Sequence, residues 1–143
     1  MDNKRLANEF IECFESFNTW RMLNRLNLNY EGENVILYLL MEDECRSTPG
    51  KLCRNVDFTA ARLSAIIKSL ENKGYVEKIQ NEEDKRSSII AITTKGFMYY
   101  MSLRQKMVQK VMSVTEQLGE HDVKELIRLT NRISAISDSM EDM

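Results

Sequence analysis

Residues 58–75, FTAARLSAIIKSLENKGY, place Leu63, Ile66, Ile67 and Leu70 three and four positions apart, the spacing of an amphipathic helix. Asp57 or Thr59 can cap its start, and Gly74 supplies a left-handed residue to end it. On a wheel of about 100° per residue, the face opposite the apolar four carries Ala61, Ala65, Lys68 and Asn72. Arg62 and Ser69 lie on one flank and Ser64 on the other. The helix is therefore short, apolar on one side, and small and polar on the other.

Upstream, the sequence STPG offers Ser47 or Thr48 as a cap and Pro49 at the first helical position, where its missing N–H costs nothing. A short helix should run from there to about Asn55. Before it, Asn29 can cap a helix carrying Val35, Ile36, Leu39 and Leu40. Downstream the period changes. Tyr75 to Gln80 and Ser88 to Thr93 are rich in β-branched residues and flank the polar stretch NEEDKR, which predicts a hairpin with a charged tip. Two short helices followed at once by such a hairpin make a winged helix-turn-helix with a two-stranded β wing.

The flanks are helical. Leu6, Phe10, Cys13, Phe14, Phe17, Trp20 and Leu23 mark a first helix from Leu6 to Leu26. After the hairpin, a long helix from Lys95 carries Phe97, Met101, Val108, Val111 and Leu118 on one side and ends at Gly119. Asp122 and Glu125 have the spacing of a capping box and should open the last helix. That helix places Leu126, Leu129, Ile133, Ile136 and Met140 on an a/d seam. The seam points to a partner subunit, the alternative being packing on the first or fifth helix of the same chain. The expected fold is mainly α. A single domain, 1–143, has a winged lobe at about 30–96, and N- and C-terminal helices, about 1–28 and 97–143, form a dimerisation lobe.

Composition supports this and excludes other classes. The 143 residues suit one core, and 43% apolar with 29% charged residues is the balance of a folded globular protein. One Pro and five Gly argue against a turn-rich β fold. Charges at positions 2, 4, 5, 9, 12 and 15 leave no signal-peptide core. The longest apolar run, Val35 to Met41, is far too short for a membrane span, so a cytoplasmic protein with no membrane partner is expected. Cys13, Cys45 and Cys53 lack CxxC spacing and read as reduced thiols.

The net charge of −2 hides an uneven distribution. Between Arg46 and Lys95 ten basic residues face six acidic ones, whereas the rest of the chain is acidic. Local clusters, not totals, set affinity for a phosphate backbone, so double-stranded DNA is a fitting partner. In a winged helix-turn-helix the second helix enters the major groove. Ala61 and Ala65 would let its axis approach base edges, and Arg62 near its start is placed to read guanine. Lys68 and Ser69, further along, suit phosphates.

The stretch from about Thr48 to Gly96 resembles the DNA-binding lobe of the multiple antibiotic resistance regulator, or MarR, family. The resemblance rests on TPGKL at the first helix of the motif, on FTAARLSAIIKSLENKGY, and on EEDKR and ITTKG after it. It implies homodimeric regulators whose first and last helices interleave. It also implies a wing in which an acid-x-Arg pair, here Asp84 and Arg86, holds an arginine that enters the minor groove. The expected DNA-binding set is Lys51, Thr59, Ala61, Arg62, Ser64, Ala65, Lys68, Ser69, Asp84, Lys85 and Arg86. Relatives often bind an amphipathic or aromatic effector between the two lobes. Trp20, Tyr30, Tyr38, Met41 and Met101 are the candidates to line such a cleft.

Catalytic readings fare poorly, and no cofactor or metal is expected. The single histidine, His121, falls at a helix start and offers no Cys/His or Ser/His pair beyond itself. Gly50-Lys51 lacks the upstream glycine of a phosphate loop, since that position is Cys45. One histidine is too few for the zinc sites of some MarR relatives. Other relatives sense peroxide through a cysteine of the first helix, and Cys13 invites that comparison, but it sits among Phe10, Phe14 and Phe17, a setting that makes a thiol inert. Cys53 is expected to pack. The chain thus reads as a homodimeric transcription regulator on a roughly palindromic duplex, its rival being a winged-helix protein-interaction module with little DNA affinity.

Overall fold

A computed structural model describes residues 2–16 and 32–141. The chain divides into two compact units, Met1–Gln105 and Lys106–Met143. The first contains α1 (Asn3–Ser16), α2 (Glu33–Glu42), β1 (Arg46–Ser47), α3 (Pro49–Arg54), α4 (Ala60–Asn72), β2 (Val76–Gln80), β3 (Ser88–Ile92) and the start of α5 (Thr94–Leu118). The helix expected from Leu6 to Leu26 is described only as far as Ser16, and Asn29 lies outside the described residues. Asp2 opens α1 by accepting from the Arg5 N–H at 3.2 Å.

Two threonines start the helices of the motif. Thr48 Oγ1 accepts from the Lys51 N–H at 3.3 Å, with Pro49 as the first helical residue. Thr59 Oγ1 accepts from the Arg62 N–H at 3.1 Å. Each bond satisfies an orphan donor of the first turn. Ser47, the alternative cap, instead lies buried in β1. The wing pairs β2 with β3 antiparallel, Val76 opposite Ile92 and Gln80 opposite Ser88.

The sheet is larger than the two-stranded wing expected. β1 adds along the other edge of β3, with Ser47 opposite Ile90, giving the order β1-β3-β2. β1 thereby covers an edge of β3 that would otherwise be left unpaired. The Ile92 N–H continues the pairing by donating to the Cys45 carbonyl at 2.9 Å.

Ile36, Leu37 and Leu40 of α2, Leu52 of α3, Leu63, Ile67 and Leu70 of α4, Val76 and Ile90 form one buried cluster. Burying each large side chain is worth about 1.5–3 kcal/mol, and this cluster holds α4 against the sheet. The helix exit is then tied to α5. Gly74 turns the chain at φ +77°, and the Thr93 hydroxyl donates to its carbonyl at 2.6 Å while accepting from the Gly96 N–H at 3.0 Å. A Cβ at Gly96 would lie 2.1 Å from the Tyr75 carbonyl oxygen, so only glycine fits. These contacts account for the NKGY and ITTKG stretches.

In the second unit, α5 runs to Leu118 and α6 (Glu120–Glu141) follows after Gly119 alone. Gly119 adopts φ +85°, and its carbonyl accepts from the Val123 N–H at 3.1 Å, so α6 begins two residues before Asp122. The expected capping box is therefore absent. Asp122 lies in the first turn, and Glu125 binds the Arg128 guanidinium at 2.6 and 3.0 Å. Leu126, Leu129, Ile133, Ile136 and Met140 are all exposed, as are Val108 and Leu118 of α5.

Candidate nucleic-acid interface

α4 faces solvent as its wheel required. Ala61, Arg62, Ser64, Ala65 and Lys68 are exposed, and the core takes the opposite face. Ser69 is the exception. Its half-buried hydroxyl donates to the Glu33 carboxylate, and Lys73 Nζ reaches the other Glu33 oxygen at 2.6 Å. Ser69 thus serves to join α4 to the start of α2, which removes it from the phosphate-contacting set. Burial pushes the Glu33 carboxyl up, but the hydrogen bonds from Lys73 and Ser69 outweigh it and hold the group below the usual range. The same hydrogen bond raises Lys73.

Lys51 is exposed but not unengaged, since its Nζ lies 3.1 Å from Asp43 Oδ1. Hydrogen bonds from Lys51 and then Ser47 hold the Asp43 carboxyl below its usual range. Arg62 has a different arrangement, with its Cζ 4.1 Å from the centroid of the Phe58 ring and over its face. Phe58 packs against the core cluster, and its carbonyl accepts from the Cys53 thiol at 3.6 Å, so Cys53 packs as expected.

At the wing tip Asp84, Lys85 and Arg86 are exposed. Asp84 Oδ1 accepts from the Arg86 backbone N–H at 3.0 Å, and the Ser87 N–H donates to the Asp84 carbonyl at 3.1 Å. Asn81 Nδ2 donates to Ser87 Oγ at 3.2 Å across the loop. The acid therefore holds the arginine through its backbone and not through its guanidinium. This is the side-chain-to-backbone turn that aspartate forms readily. The turn fixes where the Arg86 side chain starts.

Tyr38, Met41 and Met101 come together with Glu42, Tyr100 and Arg104 around a cavity of about 620 Å³ within the first unit. Trp20 and Tyr30, expected beside them, lie outside the described residues. Cys13 is exposed, as are Leu6, Phe10 and Ile11 of the same helix, which corrects the enclosed apolar setting expected for it. Phe17 lies outside the described residues. Among the described residues no group of three or more His, Cys, Asp or Glu could hold a metal ion, and no helix is long and apolar enough to cross a membrane.

Sequence reasoning missed two residues that shape this surface. Phe58 has no role in the sequence reading, although its spacing of four from Arg62 is a visible signal. Glu33 is 36 residues from Ser69, and no local pattern joins them.

The profile of the winged helix DNA-binding domain matches residues 27–96. The HTH-type transcriptional regulator PapX of Escherichia coli is 25% identical over 101 residues, 71% of this chain, and the chain spans only 56% of PapX. The organic hydroperoxide resistance transcriptional regulator of Bacillus subtilis is 28% identical over 136 residues, covering 87% of this chain and 86% of that protein. Among solved structures, AbsC, a MarR family transcriptional regulator from Streptomyces coelicolor, superposes with a TM-score of 0.69 at 20% identity, covering 100% of this chain and 97% of its own. A mutant of MarR from E. coli complexed with operator DNA gives a TM-score of 0.61 at 20% identity, covering 83% and 95%. PapX, the Bacillus protein and AbsC are each transcriptional regulators by name.

Proposed function

We propose that the chain is a DNA-binding transcription regulator of the MarR type that acts in the cytoplasm as a homodimer on a roughly palindromic duplex. The observation that carries this reading is the surface of α4. A helix capped by Thr59 presents Ala61, Arg62, Ser64, Ala65 and Lys68 to solvent, and the wing sets Lys85 and Arg86 at its exposed tip. In this reading α4 lies in the major groove, Arg62 contacts guanine, Lys68 contacts phosphate, and Arg86 enters the minor groove from a turn set by Asp84. The exposed α6 seam pairs two chains. A small amphipathic or aromatic effector, held in the cavity of Tyr38, Met41 and Met101, releases the DNA.

Salt titration of duplex binding tests the nucleic-acid part. Counterion release should make affinity fall steeply with salt, and Lys68→Ala should flatten the log–log slope by about one unit on every duplex. Arg62→Ala should relax preference at one position per half-site, at a cost of about 1–3 kcal/mol. Weak binding that ignores salt would instead favour a protein-interaction module.

A further inference from the structure

The Arg62 guanidinium lies over a ring that cannot easily move. Phe58 precedes the Thr59 cap, packs against the buried cluster, and has its backbone carbonyl bonded to Cys53. Among the described residues, no ion pair or side-chain hydrogen bond engages the guanidinium. We propose that Phe58 is a positioning residue for base readout, a platform that holds Arg62 in place while leaving its hydrogen-bond donors free. The inference rests on Arg62 reading guanine.

The chemistry favours a ring over a carboxylate for this task. Guanidinium donors lie in the plane of the group, around its rim, whereas the attraction to an aromatic face acts through the cation's face. An acidic partner would hold Arg62 just as firmly but would occupy the same N–H groups that must meet guanine O6 and N7. A ring restrains the side chain and consumes none of them. A free arginine loses rotamer entropy when it docks on a base, and an arginine already restrained loses less, so the benefit falls on the guanine contact alone.

The test combines two readouts. In the unbound protein, NMR should find the Arg62 δ-methylene protons shifted upfield by the ring, and Phe58→Leu should abolish that shift while the fold persists. Phe58→Tyr, which keeps the aromatic face, should retain it. Binding is then measured to the duplex enriched from a random library and to versions with each half-site guanine changed to adenine. Phe58→Leu should weaken binding to the enriched duplex about two- to fivefold, the range of exposed cation–π contacts, and should leave the version lacking the Arg62-read guanine unaffected. The effect should vanish in an Arg62→Ala background and be restored by Phe58→Tyr. A uniform loss on all duplexes, an unchanged loss in the Arg62→Ala background, or tighter binding by Phe58→Leu would each overturn the platform. The two readings fail separately. If Arg62→Ala changes guanine preference but Phe58→Leu does not, only the platform is lost, whereas an Arg62→Ala protein with unchanged preference overturns the guanine assignment and the platform with it.

Discussion

In the winged unit Leu37, Leu40 and Leu70 are fully buried within one chain, whereas along α6 Leu126, Ile136 and Met140 are 59%, 55% and 63% exposed. Both regions carry apolar residues at the same three-and-four spacing. The difference teaches that periodicity reports an amphipathic helix and says nothing of what covers its apolar face. In α4 the cover is the sheet and α2, which the same chain supplies. On α6 we propose that it is a second copy of the chain, because an apolar stripe this long on a folded protein marks an interaction surface.

The contrast breaks most severely where the closed core is opened. Leu70→Ala should cost about 2–5 kcal/mol through lost contacts and the cavity left behind, a large share of a typical domain's stability. Chemical denaturation followed by fluorescence or circular dichroism should show the midpoint fall accordingly. Ile133→Glu acts on the other region. A charge placed on the α6 seam should dissociate the dimer in sedimentation while the amide protection of the winged unit persists. An intact folded dimer for Ile133→Glu would remove the seam from the interface.

Much of the winged unit is legible in its residues because its signals are local. Thr48 before Pro49, Thr59 before the Leu63 to Leu70 face, Gly74, and the change of period at Tyr75 each act within a few residues of where they stand. β1 is not legible, since two residues have no period and owe their strand to the free edge of β3. The start of α6 was misplaced because Asp122 and Glu125 have the right spacing but Gly119 lets the helix begin earlier. On the candidate site, the outward face of α4 followed from its wheel. The engagement of Ser69 by Glu33 and the placement of Arg62 over the Phe58 ring are tertiary contacts that the period of α4 does not encode.

A subtler contrast separates geometry from charge at the wing. Coulomb's law alone predicts that Asp84→Ala should bind DNA more tightly, since a negative charge is deleted. The turn that Asp84 makes with the Arg86 N–H predicts weaker binding instead, by about 0.5–1.5 kcal/mol, and little further loss when Arg86→Ala is added. Duplex titrations at matched salt give the sign. The smallest effect concerns Glu33, whose carboxyl is held below its usual value of 4.5 in the folded state. A depressed folded value means that the stabilisation is present above about pH 4.5 and is lost as pH falls through the folded value. Stability measured between pH 5 and 3 should therefore fall less steeply in Glu33→Gln than in the parent chain.

Selection of duplexes from a random library tests most directly whether one region reads DNA while the other pairs the chains. An inverted repeat with half-site centres about 34 Å, or roughly one helical turn, apart should be enriched, and Ile133→Glu should lose that two-fold pattern. Enrichment of a single unrepeated site by the parent chain, or no enrichment at all, would contradict that expectation.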